Sequence, residues 1–275
     1  PELFDPTAPR LVIVDAGGGI GQLSADLAAQ GHRIVLCDIS SAMLDKAREH
    51  FASNAPGADV TLLHCGIKDL PRLLAELPGR PRPHLILFHA VVEWLRDAQA
   101  ALLVLDRLLR PNGHLSVLFY NRHALVWRYL MNGSLEKAHG TAVKGSHTGS
   151  ITHGNKRKRS NPLLPPNPQY PETVIKWLSE LNVQVVVWKG IRALHDHMPD
   201  SVRERTPYPD LLAAEQRFGR HPPYRDLARY VHVLSRKRSL ASSIWSRYLV
   251  PGLTSAAVIG LGWLLTTKGR RLAAQ

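Results

Sequence analysis

Leu11-Val12-Ile13-Val14-Asp15-Ala16-Gly17-Gly18-Gly19-Ile20-Gly21-Gln22 decides the fold. An apolar run ends in an acid, and four glycines fall within the next six positions before a helical pattern begins. This is a strand handing its backbone to a tight turn. With no Cβ in the way, the amides of such a turn can lie against a ligand. A dinucleotide-binding turn requires G-x-G-x-x-G, and here Gly17 and Gly19 are followed by Gln22 where the third glycine belongs. The spacing therefore points away from a nicotinamide or flavin dinucleotide.

Read as Asp15, Gly17, Gly19 and Gly21, the same stretch is acid-x-Gly-x-Gly-x-Gly. It resembles the glycine turn of S-adenosylmethionine-dependent methyltransferases. The next unit agrees. Arg33-Ile-Val-Leu-Cys-Asp38 is a short buried strand ending in a second acid, and Ser40 or Ser41 suits the N-cap of a helix carrying Met43, Leu44, Ala47 and Phe51. An acid about twenty residues past the turn can accept both ribose hydroxyls of a nucleoside. Asp38 supports an adenosine site, and a helix N-terminal role is its plainer alternative.

Charge is distributed unevenly. Residues 1–120 hold 11 Lys and Arg against 13 Asp and Glu, a net of −2, whereas residues 121–275 hold 24 against 9, a net of +15. The second half is the one a polyanion would meet. Its densest run, Lys156-Arg157-Lys158-Arg159, lies in a Gly/Ser/Thr/His/Pro-rich stretch, residues 139–171. Such a composition builds no core and is expected to form a long mobile loop. No Cys-x-x-Cys or His-Glu-x-x-His occurs among the 2 cysteines and 14 histidines, so no metal is expected. Cys37 and Cys65 read as small core residues, not a disulfide. The N-terminus carries no secretory pattern, and a cytoplasmic protein is expected.

Between these motifs the chain alternates as a doubly wound α/β sheet requires. Strand-like runs fall at Val60–Cys65, Leu85–Ala90 and His114–Tyr120, with helical patterns at Leu70–Leu77 and Ala98–Leu109. Arg110-Pro-Asn-Gly113 stops the latter helix. A helix at Glu172–Leu181 and strands at Val183–Lys189 and Arg229–Ser235 follow. No single crossover helix joins the last two, which predicts a Rossmann-like, mostly parallel sheet with an antiparallel final strand.

A closer resemblance is carried by Asp15-Ala-Gly-Gly-Gly19, Leu36-Cys-Asp38 with Met43, His64-Cys65, Leu85-Ile-Leu-Phe-His-Ala90 with Glu93-Trp94, and Leu109-Arg-Pro111 with Phe119-Tyr-Asn121. Farther on, Gly190-Ile-Arg192 with His195-Asp196 and Arg229-Tyr-Val-His232 continue it. Over residues 11–237 the chain is similar to the bacterial tRNA 5-carboxymethoxyuridine methyltransferases, which esterify a modified wobble uridine. The resemblance implies S-adenosylmethionine as cofactor and tRNA as partner, with cofactor contacts at Gly17, Gly18, Asp38, Ile67 and His89. Asp15 and Gly19 complete the expected cofactor set. The family's segment before the first strand is longer, with helices capping the cofactor. The loop in this chain has extra residues around Lys144–His153, and residues from about 239 onward have no counterpart in the family.

A carboxylate is already nucleophilic at neutral pH, so no general base is called for. Rate should come from aligning and desolvating two reactants. Tyr120 and Asn121, which end the fifth strand facing the crevice where open α/β folds bind ligands, and Arg192 are the candidates to hold the acceptor. Arg122 and Lys156–Arg159 are the candidates for RNA. Residues 1–237 are expected to form the methyltransferase domain and 238–275 an extension. That extension carries seventeen uncharged residues, 249–265, followed by Lys268, Arg270 and Arg271, a candidate membrane contact weakened by its glycines and proline. Two other readings stay open: a non-catalytic RNA-binding module keeping this fold, and a membrane-associated small-molecule methyltransferase.

Overall fold

A computed structural model describes residues 10–143 and 165–239. The chain divides into two units, residues 1–237 and 238–275, and every helix and strand described belongs to the first. Strands β1 (Val12–Ala16), β2 (Arg33–Asp38), β3 (Val60–His64), β4 (Leu85–His89), β5 (His114–Tyr120), β6 (Val183–Ile191) and β7 (Tyr230–Lys237) form one seven-stranded sheet. Its order is β3-β2-β1-β4-β5-β7-β6, and only β7 runs against its neighbours.

The continuous apolar strands are explained by cover on both faces. Helices α1 (Gln22–Ala29) and α2 (Ser41–Asn54) pack Ala25, Leu27, Leu44 and Phe51 on Ile13, Ile34 and Leu36. On the other face α3 (Leu70–Glu76), α4 (Ala98–Leu108) and α7 (Pro171–Ser179) pack Leu74, Leu102, Leu105 and Leu178 around Val14, Ile86, Phe88 and Phe119. Two starts are set locally: the Ser40 hydroxyl accepts the Met43 amide at 3.3 Å, and the Asp97 carboxylate accepts the Ala100 amide at 2.9 Å. Asp69 occupies the cap of α3 without a side-chain bond. Cys37 is buried, Cys65 is partly buried, and both thiols are free.

Helices α5 (Arg122–Met131) and α6 (Leu135–Val143) follow β5 directly, and α8 (Asp200–Arg205), α9 (Tyr208–Phe218) and α10 (Tyr224–Leu227) fill the connection between β6 and β7. None of these five was expected. The loop reading of residues 139–171 also needs correction at both ends. Residues up to Val143 belong to α6, and the segment at 165–170 is fixed against the end of β5. There the Gln169 amide donates to Tyr120 O at 3.1 Å and the Arg122 amide to Gln169 O at 2.9 Å. Tertiary bonds hold a segment whose composition alone gives it no regular structure. Lys156–Arg159 and the apolar stretch 249–265 lie outside the described residues. Among the described residues no helix is long and apolar enough to cross a membrane.

Candidate active site

The carboxyl ends of β1, β2, β4, β5 and β6 share one edge with the start of β7, and the site residues gather along it. At its β1–β2 side, Gly17 takes φ +77°, and a Cβ there would stand 2.6 Å from Val91 Cγ2, so only glycine fits. Gly19, at φ +57°, is different: nothing lies within 4 Å of where its Cβ would be. The turn is tied down beneath and left open above. Its Gly17 amide donates to Cys37 O at 2.8 Å. Asp38 accepts the Gly19 amide on Oδ2 at 2.9 Å and the Ser40 amide on Oδ1 at 2.8 Å. A carboxylate has about four acceptor positions, so both oxygens keep one for a diol.

Asp15 sits under the turn. It is buried, accepts the Ser24 hydroxyl at 2.6 Å, and occupies the space a Cβ on Gly18 would need. Burial pushes its carboxyl up to about 6, the Ser24 bond opposing and the nearby Asp38 adding. It props the glycine turn from below. Ile67 lies in the turn after β3, partly buried against the core. Beside it sequence reasoning missed Ile39, directly after Asp38 and 77% exposed. The available signal was an apolar residue following the acid that ends β2.

His89 ends β4 and is hydrogen-bonded through Nε2 to Ser116 Oγ at 2.7 Å, and Ser116 Oγ to His232 Nε2 at 2.8 Å. One hydroxyl between two imidazoles can donate to one and accept from the other, which fixes complementary tautomers. Burial, with His232 beside it, holds His89 down to about 4; burial and Lys189 do the same for His232. Both rings are neutral at physiological pH. Ala90, next in the chain, takes φ +56°, a strained turn at the ligand edge. Glu93 follows in a single helical turn, buried, its carboxyl pushed up to about 7 by burial against opposing backbone hydrogen bonds from Glu93 and Tyr120.

At the β5–β7 side, Tyr120, Arg128, Arg192, Asp196, Arg203 and Arg229 line a cavity of about 270 Å³. Asp196 joins two of the arginines, at 2.5 Å to Arg192 and 2.8 Å to Arg229. Burial alone would raise the Asp196 carboxyl, but hydrogen bonds from Arg229 and His195 and the field of Arg192 hold it below its ordinary value. The Arg229 guanidinium lies 5.5 Å from the ring centres of both Tyr120 and Tyr230. Burial pushes the Tyr120 hydroxyl up, with Arg229 and Arg128 opposing. Of the expected acceptor-holding residues, Tyr120 and Arg192 meet here.

Asn121 does not face the cavity. Its fully buried amide donates to Asp226 O and Ala228 O, both at 2.8 Å, and its oxygen accepts the His123 amide at 3.0 Å. With those bonds made it caps α5 and fastens α10, so its expected place among the catalytic residues is corrected to a structural one. Arg122 is corrected likewise. It is 5% exposed, donates from Nε to Pro168 O at 2.9 Å, and lies over the Tyr170 ring, so it does not present a surface to RNA. The first residue of α5 points inward because the 165–170 segment supplies carbonyls there. Sequence reasoning gave no role to Arg128, Asp196 or Arg229. Asp196 and Arg229 stood in motifs of the family resemblance without a role, and only the arginine-rich composition of the second half hinted at Arg128.

An open glycine turn, an acid with free lone pairs at the end of β2, and a seven-stranded sheet with an antiparallel β7 define the S-adenosylmethionine-dependent methyltransferase class. Residues 14–115 match a family model described as a methyltransferase domain. Two solved structures share the fold. One is an S-adenosylmethionine-dependent methyltransferase from Mesorhizobium loti, at TM-score 0.54 and 16% identity over 86% of this chain and 94% of that one. The other is a methyltransferase from Methanosarcina mazei, at TM-score 0.53 and 13% identity over 87% of this chain and 98% of that one. The tRNA 5-carboxymethoxyuridine methyltransferase of Escherichia coli K12 is 35% identical over 228 residues, 83% of this chain and 80% of its own length, and that of strain O157:H7 matches equally. The chain belongs to the tRNA 5-carboxymethoxyuridine methyltransferase family.

Proposed function

We propose that this protein transfers the methyl group of S-adenosylmethionine to the carboxylate of 5-carboxymethoxyuridine at the tRNA wobble position, forming a methyl ester. The observation that carries the reading is the extent of the match to the Escherichia coli enzyme. It covers 83% of this chain, well beyond the nucleotide-binding half. The described residues suit the cofactor. Asp38 keeps acceptor positions for the ribose hydroxyls, the open side of Gly19 leaves room for the methionine portion, and Ile39 and Ile67 offer apolar surface for adenine.

When bound, the cofactor supplies an electrophilic methyl on a sulfonium; an acceptor carboxylate oxygen takes it as the carbon–sulfur bond breaks, and no proton moves. The chain's own residues then have to align two reactants and exclude water. Neutral His89 suits this task, since a second cation beside a sulfonium would repel it. The net of +15 over residues 121–275 suits a polyanionic substrate, and Lys156–Arg159 are proposed to lie along the RNA backbone. A tRNA-modifying enzyme works where tRNA is, so a cytoplasmic location goes with this reading.

The test is mass spectrometry of nucleosides from tRNA carrying 5-carboxymethoxyuridine, incubated with the protein and methyl-labelled cofactor. The labelled methyl ester is the expected product. Unchanged 5-carboxymethoxyuridine with the cofactor bound would overturn the reading.

A further inference from the structure

The cavity at the end of β5 is lined by four arginines, Arg128, Arg192, Arg203 and Arg229, and by one carboxylate residue, Asp196. Like charges brought together in a partly desolvated space repel unless an anion balances them. Asp196 is shared between Arg192 and Arg229, and Arg203 has its own partner in Asp200 at 2.5 Å. Arg128 has no carboxylate partner among the described residues; the Tyr129 ring lies 5.9 Å from its guanidinium, and its charge acts on the Tyr120 hydroxyl. Among the described residues the cations therefore outnumber the carboxylates paired with them.

The groups are also set in place before any ligand arrives. Arg229 is held between two tyrosine rings and a carboxylate, which leaves it little rotamer freedom to lose on binding. Arg192 takes φ +59°, a conformation its own side chain does not favour, and this places its guanidinium on the Asp196 side of the cavity. At about 270 Å³ the space falls below the ~300–1,000 Å³ of a drug-sized ligand pocket. It has room for an anionic group and part of the nucleotide that carries it.

We infer that this cavity is an oxyanion seat for the acceptor nucleotide, in which Arg128, Arg192 and Arg229 take a carboxylate or phosphate group of the RNA. The inference rests on the acceptor being a carboxylate-bearing uridine in tRNA. Both groups present paired oxygens to which guanidinium forks bind. If the carboxylate is the occupant, one oxygen is held by the arginines while the other is free to be methylated. If a flanking phosphate is the occupant, the seat fixes the register of the strand.

Two anticodon stem-loops separate the sources: one bearing 5-carboxymethoxyuridine, the other 5-methoxyuridine, which has no carboxylate. Arg128→Gln and Arg192→Gln variants of the full chain, each checked for folding by thermal unfolding, are titrated with both by fluorescence anisotropy. Loss of a charge-assisted bond should weaken the acid-bearing RNA about tenfold or more. If only that RNA is affected, the seat takes the carboxylate. If both weaken alike and the salt slope falls by about 0.7 per lost contact, it takes a phosphate. Folded variants that bind both RNAs as the parent does would overturn the seat. Methyl transfer by the parent is read in parallel. Weakened binding by the variants without any parental methylation supports the seat and removes the reading it rests on. Parental methylation with unaltered variants removes the seat alone.

Discussion

Gly19 and Asp38 are joined by a hydrogen bond of 2.9 Å, amide to carboxylate, that fixes the end of β2 against the glycine turn after β1. One side chain therefore sets the distance between the acid proposed to face a ribose and the backbone proposed to face the rest of the cofactor. Asp38→Ala should remove two charge-assisted bonds to the ribose, each worth roughly 1.5–3 kcal/mol, and weaken S-adenosylmethionine binding at least tenfold. Calorimetry with the cofactor checks it. An unchanged affinity in a folded variant would mean the cofactor lies elsewhere.

Gly17→Ala and Gly19→Ala should part company. A methyl at Gly17 meets Val91 at 2.6 Å, so its cost falls on the fold itself. A methyl at Gly19 meets nothing, leaving only backbone strain, about 1–2 kcal/mol. If the open side of Gly19 is where the cofactor lies, Gly19→Ala keeps most of its thermal stability and loses cofactor affinity, whereas Gly17→Ala loses stability first. Melting curves with and without S-adenosylhomocysteine distinguish them. Equal ligand-induced shifts in Gly19→Ala and the parent would place the cofactor away from that residue.

The cofactor half was legible because its information is local. The Asp15–Gly21 spacing, the apolar strands and Asp38 lie within short windows, and each feature needs only its own segment to be recognised. The other half was legible only in part, through Tyr120 and Arg192. Arg128, the stretch from Arg192 to Arg203 that holds Asp196, and Arg229 come from three parts of the chain, and only tertiary packing brings them together. Asn121 and Arg122 were placed at the correct edge but given the wrong direction. Their side chains follow carbonyls of Asp226, Ala228 and Pro168, at least 46 residues away in sequence. The segment at 165–170 was misread for the same reason, since its order comes from bonds to β5 and not from its own composition.

Asn121→Ala tests the structural role. It deletes the α5 cap, worth about 1 kcal/mol, and strands two buried carbonyls, so a total near 2–4 kcal/mol is expected. Urea unfolding measures it. A variant that keeps parental stability yet loses methyl transfer would return Asn121 to the catalytic residues.

The pair His89 and His232, bridged by Ser116, sets a pH dependence whose sign can be worked out. Both sit near pKa 4 in the fold, against about 6.5 in the unfolded chain. Between those values the unfolded state binds more protons, so stability rises with pH. The contribution is fully present above about pH 6.5 and is lost as pH falls toward 4, roughly 1–2 kcal/mol for each ring by pH 5. Asp15, near 6, and Glu93, near 7, act in the opposite sense. The fold holds their protons longer, so they cost stability as pH rises through the same window, and in the parent the two effects offset. His232→Gln removes one histidine and leaves both acids. The variant should be about 1 kcal/mol less stable than the parent at pH 7.5, from the lost Ser116 bond. Near pH 5 it should equal or exceed the parent. Denaturant titrations at pH 7.5, 6 and 5 read the difference directly. A gap that stays constant across the three would show that His232 titrates in the fold as it does in the unfolded chain.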